Sequence, residues 1–203
     1  MNEINNIKTF LSAIVAGICI GIGGSCFLSI DNRIIGSFMF SLGLLTICTN
    51  QFSLFTGKVC YARRLDDFIN LIWIWFGNLL GCTLVGFTLR LIKPQVIQKA
   101  TEMCNTKISE GLLVIPLGIL CNILIFFAVD GFKKIDNDVA KTVLLIMCVM
   151  AFILCGFEHC IANMFYFTVS DIEYTPIIYL LLNTFGNAIG GLAISFIHET
   201  VKI

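Results

Sequence analysis

Two ionisable residues stand together in an otherwise apolar run. Residues 155 to 167 read CGFEHCIANMFYF, with Glu158 and His159 between the runs VLLIMCVMAFIL and MFYF. Ionisable groups at membrane depth are costly, and those that occur usually line a pathway or a protein-buried site. An anion forced into an apolar passage loses its hydration, a cost that protonation removes. Histidine suits that step, because its unperturbed pKa of about 6.5 moves across physiological pH with small changes of environment. Desolvation favours the neutral imidazole, and an approaching anion favours imidazolium. Adjacent residues cannot face the same way on a helix or tight turn, so Glu158 is expected to point into the protein and to bond the exposed backbone of an interrupted helix. Asn163 is read with it as a structural residue at the same break.

The elements that must position this pair are membrane helices. The 203 residues are 58% hydrophobic and 13% charged, against about 25% charged in soluble domains. A bilayer core needs roughly 20 apolar residues per helix. Six stretches qualify, at about 8–30, 34–62, 66–92, 109–129, 139–168 and 177–198. The expected fold is an all-α integral membrane protein, one transmembrane domain over 1–203. Almost nothing is left for a soluble catalytic module or a nucleic-acid surface. The first stretch has no small-residue cleavage site and five spans follow it, so it is expected to be a span and not a signal peptide.

Basic residues set the orientation, because short cytoplasmic loops hold the excess of Lys and Arg. Placing the N-terminus inside gives a cytoplasmic set of Lys8, Lys58, Arg63, Arg64, Lys133, Lys134, Lys141 and Lys202, against Arg33, Arg90, Lys93, Lys99 and Lys107 outside. Both termini are expected in the cytoplasm, the membrane being the plasma membrane. The formal net charge is zero and names no partner.

Ten cysteines invite a redox or metal reading, but no CxxC occurs. All except Cys104, which reads as a loop residue, lie in or at the ends of apolar stretches, where free cysteine packs as a small apolar residue. No disulfide framework, metal or cofactor is expected. An intramembrane enzyme or metal centre would need His159 with Glu158, Cys155 or Cys160, and neither HExxH nor a paired histidine spacing exists. The GIGG at 21–24 lies in mid-span and is no dinucleotide fingerprint.

The chain repeats itself. GNLLGC at 77–82 and GNAIGG at 186–191 are offset by 109 residues, and each offers small residues one helical turn apart for close backbone approach. Stretches two and five are both near thirty residues and are interrupted by TNQFSLFTG, 49–57, and GFEHCIAN, 156–163. Three spans followed by three more must have opposite orientation. This predicts an inverted 3+3 repeat, about 7–92 and 109–198, with helices 2 and 5 broken near the midplane, where transport sites form. Asn78 and Asn187 are read as polar glue or as partners for backbone at the breaks. His198 reads as interfacial.

FSLGL (40–44), LFTG (54–57), GILCN (118–122), GFEHCIANMF (156–165) and GNAIGG (186–191), in this order, closely resemble the formate/nitrite transporter family over nearly the whole chain. The resemblance implies an aquaporin-like hourglass fold of six transmembrane helices, a homopentamer in the bilayer, and one pore per protomer. It implies a channel or transporter, not an enzyme, for small monovalent anions or their weak acids, of the formate, nitrite and hydrosulfide class, with proton coupling. In it His159 is the pore centre, facing Thr56 with Asn122 nearby. The flanking apolar constrictions are Phe40, Leu44, Leu54, Phe55 and Phe152, and Lys107 is the anion lysine of the outer vestibule. Two departures stand out: Ser53 where the family usually has an acid, and a chain that starts almost at the first span, so that the inner vestibule lysine has no match except in part Lys58. A neutral-solute channel of the same fold is the alternative function.

Overall fold

The computed structural model describes residues 3–173 and 177–201, with side chains from residue 6 onward. Lys202, counted among the cytoplasmic cations, lies outside the described residues. Every regular element among them is helical: α1 Glu3–Ser29, α2 Arg33–Asn50, α3 Phe55–Val59, α4 Leu65–Ile92, α5 Gln95–Ser109, α6 Val114–Lys134, α7 Asp138–Leu154, α8 Cys160–Val169 and α9 Ile177–Val201, with a 3-10 turn Gly111–Leu113 before α6. Among the described residues, Asn6–Ser29, Arg33–Asn50, Leu65–Ile92, Gly111–Lys134 and Ile177–Val201 are long and apolar enough to cross a membrane. The chain is a multi-pass membrane protein.

The long stretch two is two helices, α2 and α3, and stretch five is likewise α7 and α8. Both interruptions have the same backbone. Gln51 and Gly156 adopt left-handed conformations, φ 58° and 71°. Phe52 N–H then bonds Ile47 C=O at 3.0 Å, and Phe157 N–H bonds Phe152 C=O at 2.9 Å. Such a left-handed residue with a bond reaching back over it satisfies the last carbonyls of a helix and turns the chain away. The restart is also shared. Asn78 Oδ1 accepts from Phe55 N–H at 2.9 Å, and Asn187 Oδ1 accepts from Cys160 N–H at 2.9 Å. Each amide donates in turn, Asn78 to Ala13 and Ser53 carbonyls at 2.8 and 2.9 Å, Asn187 to Gly118 and Glu158 carbonyls at 2.8 Å. An unpaired buried backbone group costs about as much as a lost hydrogen bond, so these two asparagines make the short buried helices tenable.

The packing follows the same correspondence. α1 runs along α4 and α6 along α9, while α2 meets α7, α8 rests on α4 and α3 on α9. The glycines of the two GN motifs set the spacing. A Cβ on Gly77 would fall 2.6 Å from that of Ala13, and one on Gly186 would fall 2.5 Å from the Ile115 carbonyl. Gly81 and Gly190 sit equally hard against the carbonyls of Ile14 and Ile119. Trp75 and Thr184, themselves 109 residues apart, hydrogen-bond at 3.0 Å where α4 and α9 approach.

Helix α5 departs from the expectation of a loop. Cys104 is fully buried within it, in line with Val96 and Ala100. That spacing of four is one face of a helix, and the low hydropathy of α5 distinguishes it from the spanning helices.

Candidate functional site

The backbone break before α8 leaves His159 just ahead of its first turn. Its Nδ1 accepts from Ala162 N–H at 3.1 Å and caps the helix. Its Nε2 lies 3.1 Å from Thr56 Oγ1, on the first turn of α3. Both residues are buried, Thr56 fully and His159 to within 3%. Since a neutral imidazole has one donor and one acceptor nitrogen, engaging Nδ1 as acceptor assigns the ring proton to Nε2, pointing at Thr56. Phe152 stacks on the imidazole, with centroids 5.6 Å apart at 20°, and Phe40 meets Phe152 edge-on at 6.0 Å.

One cavity reaches this centre at His159, and a second lies beside Leu54 and Gly57, the neighbours of the Thr56 turn. The first, about 340 Å³, is lined by Phe152, Phe157, Glu158 and His159 and walled by Lys99 and Lys107 of α5 and by Glu110 just after it. The second, about 490 Å³, is lined by Leu44, Leu54 and Gly57 and opens past Lys58 and Lys133. The first reaches α2 at Arg33 and the second at Ile47 to Thr49, about 22 Å apart at the rise of an α-helix. They therefore approach from opposite ends of α2.

Of the expected constriction residues, Leu44 and Leu54 line the second cavity and Phe152 the first. Phe40 is packed behind Phe152, and Phe55 lines neither cavity. Asn122 is brought to Thr56 and not onto the imidazole. Its Nδ2 donates to the Thr56 carbonyl at 3.2 Å and approaches Cys60 Sγ at 3.7 Å. Its buried Oδ1 has no partner among the described residues.

Glu158 and Lys107, separate in the sequence reading, form one unit. Lys107 Nζ lies 2.5 Å from Glu158 Oε1, and Asn163 Nδ2 donates to Glu158 Oε2 at 2.6 Å. The side chain thus holds a cation and an amide, while the Glu158 carbonyl, not its carboxylate, receives Asn183 and Asn187. The expectation that the carboxylate bonds backbone is corrected accordingly. A buried carboxylate needs a counter-charge and hydrogen bonds, and α5 supplies the cation from outside the broken helix. Close by, burial and then the negative charge of Glu158 push the Glu110 carboxyl above its usual range.

Sequence reasoning missed Asn183, which donates to the Glu158 carbonyl at 2.8 Å and accepts from Asn163. It also missed a group on the other face, where Tyr61 donates to Asp130 at 3.0 Å and lies under Lys133 Nζ, 4.1 Å from the ring centroid. Asp130 also pairs with Lys134 at 2.7 Å and faces His198 at 3.5 Å. The adjacent Lys133 and Lys134 of α6 and the acid one turn earlier, Asp130, were the available signal. All ten cysteines are free. Among the described residues no three His, Cys, Asp or Glu side chains gather as a metal shell.

The helices able to cross a membrane thus enclose a buried polar pair, with the first cavity reaching His159 and the second lying beside Leu54 and Gly57. The family description of the formate/nitrite transporters matches residues 2–199, and the chain belongs to that family. It is 26% identical over 187 residues to the formate channel FocB of Escherichia coli K12, covering 79% of this chain and 66% of the relative. With the formate channel FocA of the same organism it shares 26% over 190 residues, 78% of this chain and 65% of the relative. The chain thus spans just under two thirds of the length of these channels. The transporter YwcJ of Bacillus subtilis 168 is 26% identical over 209 residues, 91% of this chain and 82% of the relative. Among solved structures, a pentameric formate channel with formate bound superposes with a TM-score of 0.90 at 26% identity, covering 99% of this chain and 98% of that one. An FNT family ion channel shares the fold, with a TM-score of 0.89 at 22% identity over 98% and 92% of the two chains. These relatives are channels and transporters, not enzymes.

Proposed function

We propose that the protein is a channel for small monovalent anions or their conjugate weak acids, of the formate, nitrite and hydrosulfide class, in which His159 and Thr56 form the pore centre. The observation that carries this reading is the 3.1 Å contact between His159 Nε2 and Thr56 Oγ1, with Phe152 stacked on the imidazole at the first cavity and Leu44 and Leu54 lining the second. An anion arriving there meets a hydroxyl and an Nε2–H, and the apolar walls make its neutral form the cheaper one to pass. To take a second proton the imidazole must turn an Nδ1–H against the Ala162 N–H and give up that cap. An approaching anion compensates this loss by its charge, so His159 answers to the anion and passes the proton only in its presence. Asn122 holds the Thr56 carbonyl, and Glu158 with Asn163 holds the break that presents His159.

Six spans are proposed, with α2 and α3 together forming the second and α7 and α8 the fifth, in an inverted repeat of hourglass form. The matched backbone at Gln51 and Gly156 and the matched roles of Asn78 and Asn187 support that reading. The excess of Lys and Arg favours a plasma-membrane orientation with both termini in the cytoplasm. A homopentamer is proposed from the likeness to the pentameric formate channel, and native mass measurement of the detergent-solubilised protein tests it. For the site, H159F is compared with wild type in proton-coupled formate uptake. Unchanged uptake and unchanged pH dependence sink the role of His159.

A further inference from the structure

Each short helix is gripped at both ends, and each long helix that carries a GN motif grips one end of each. Asn78 of α4 takes the head of α3, and Asn187 of α9 the head of α8. The tails are held by the same two helices the other way round. Arg90 of α4 donates to the Val169 and Ser170 carbonyls at the tail of α8 and pairs with Asp171. Glu199 of α9 follows Arg90 at the offset of 109 residues that also separates Asn187 from Asn78. It pairs with Arg63, which donates to the Cys60 and Ala62 carbonyls at the tail of α3 and to Ser195. The tail of α3 carries a second tether, and this one can titrate. Tyr61 donates to Asp130 Oδ1 at 3.0 Å, Lys134 Nζ lies 2.7 Å from the same oxygen, and His198 Nε2 of α9 faces Oδ2 at 3.5 Å. Asp130 is 5% exposed, and His198 Nε2 is buried with no hydrogen-bond partner among the described residues. Phe126 packs on both rings, 5.4 Å from that of His198 and 6.3 Å from that of Tyr61, while Lys133 covers Tyr61. Arg63 and Glu199 complete the charged groups around the pair. No histidine stands at the tail of α8, because the other one in the chain is His159.

Resting on the channel reading above, we infer that His198 is a positioning residue for Thr56: once protonated it ties α9 to Asp130 and, through Tyr61, steadies the tail of α3 so that Thr56 stays opposite His159. A helix of five residues is too short to hold its own place, so what grips its ends decides where Thr56 sits. A histidine changes charge between about pH 5 and 8, and in the imidazolium both nitrogens donate. Nε2–H of His198 then turns its 3.5 Å approach to Asp130 Oδ2 into a charge-assisted bond, stronger than a neutral one. The charged form favours the tie, which is therefore present at low pH and lost as pH rises through the histidine range. The side chain of His198 is 29% exposed, so its proton comes from water on its own side. Lys133, which covers Tyr61 and lines the second cavity, places that side at the second-cavity end of the path.

The test follows exchange of labelled formate in vesicles of reconstituted protein, at equal formate and equal pH on both sides, between about pH 8 and 5. The driving force is then common to all variants, and the ratio of each variant to wild type is read. H198F keeps a ring against Phe126 but takes no proton. Its ratio should lie near one at the alkaline end and fall about two- to fivefold at the acid end, the range a partly exposed ion pair gives. In vesicles of one orientation the fall should follow the pH of the second-cavity side alone. D130N leaves Tyr61 an oxygen but offers His198 no charge, so its ratio should fall in the same way, and H198F should add nothing to it. Y61F keeps the pair of His198 and Asp130 but cuts its link to α3, so H198F should add nothing there either. A ratio constant with pH, as a purely structural loss would give, a fall that survives in the Y61F background, or one that follows the pH of the first-cavity side would overturn the inference. Wild-type vesicles that pass no formate, nitrite or hydrosulfide refute the channel reading itself, whereas normal exchange with a flat ratio refutes only the role of His198.

Discussion

Asn78 and Asn187 occupy the same place in the two GN motifs, yet their removal should not cost the same. Each makes three hydrogen bonds to backbone. In N187A the Cys160 N–H at the head of α8 loses its partner, but the Glu158 carbonyl keeps Asn183 at 2.8 Å, and the Gly118 carbonyl lies inside α6. In N78A the Phe55 N–H and the Ser53 carbonyl both lose their only side-chain partner among the described residues, while the Ala13 carbonyl lies inside α1. A buried group left unsatisfied costs about 1–3 kcal/mol, and interhelical bonds inside membranes average about 0.6 kcal/mol. N78A should therefore destabilise by about 1–3 kcal/mol more than N187A if the full desolvation penalty applies, and by at least about 0.6 kcal/mol if the membrane average does. The assay is unfolding in mixed micelles by SDS titration, with thermal melting of the solubilised protein as a check. N183A combined with N187A should close the gap, because the Glu158 carbonyl then loses its second donor as well. Equal costs for N78A and N187A, or a larger cost for N187A, would refute the assignment of these asparagines as partners of the broken backbone.

Three further outcomes follow from the same geometry. At Gly156, φ is 71° with nothing within 4 Å of an added Cβ, so G156A should cost about 1 kcal/mol from backbone strain alone, while Q51G at φ 58° should be neutral or stabilising in the same titration. K107M leaves the buried Glu158 carboxylate with Asn163 but no cation, which should destabilise by about 3–5 kcal/mol; adding E158Q should recover part of that loss. The Glu110 carboxyl, raised by burial and by Glu158, becomes neutral at a higher pH than an ordinary carboxylate. As pH falls through that range the first cavity loses a negative charge, so wild-type anion uptake from that side should rise toward the level of E110Q. A ratio of the two rates that stays constant from neutral to acid pH contradicts this.

What could be read from the residues is the coarse plan. Long apolar stretches announce themselves because the bilayer sets their length, and the polar residues of 49–57 and 156–163 mark where two of them stop. The GN motifs are visible too, and their glycines do lie against neighbouring helices at Ala13 and Ile115. Long-range partnerships are not legible. Glu158 and Lys107 are 51 residues apart, and nothing in either segment says that α5 will fold back to place its lysine on the buried acid. Helix α5 itself was missed because its polar face lowers its hydropathy and only Val96, Ala100 and Cys104 turn inward. The resemblance named Phe55 as a constriction; its side chain, at the start of a five-residue helix whose direction depends on how Asn78 holds it, is buried and lines neither of the two cavities.

The central claim is that an anion or its acid passes between His159 and Thr56. Reconstituted protein should be assayed for flux of formate, nitrite, hydrosulfide and acetate, beside water and glycerol, at two pH values, with H159F run in parallel. The account predicts flux of at least one of the small acids, faster at the lower pH, with both the rate and its pH dependence altered in H159F. Flux of water or glycerol alone, or acid flux that H159F leaves unchanged at both pH values, would contradict it.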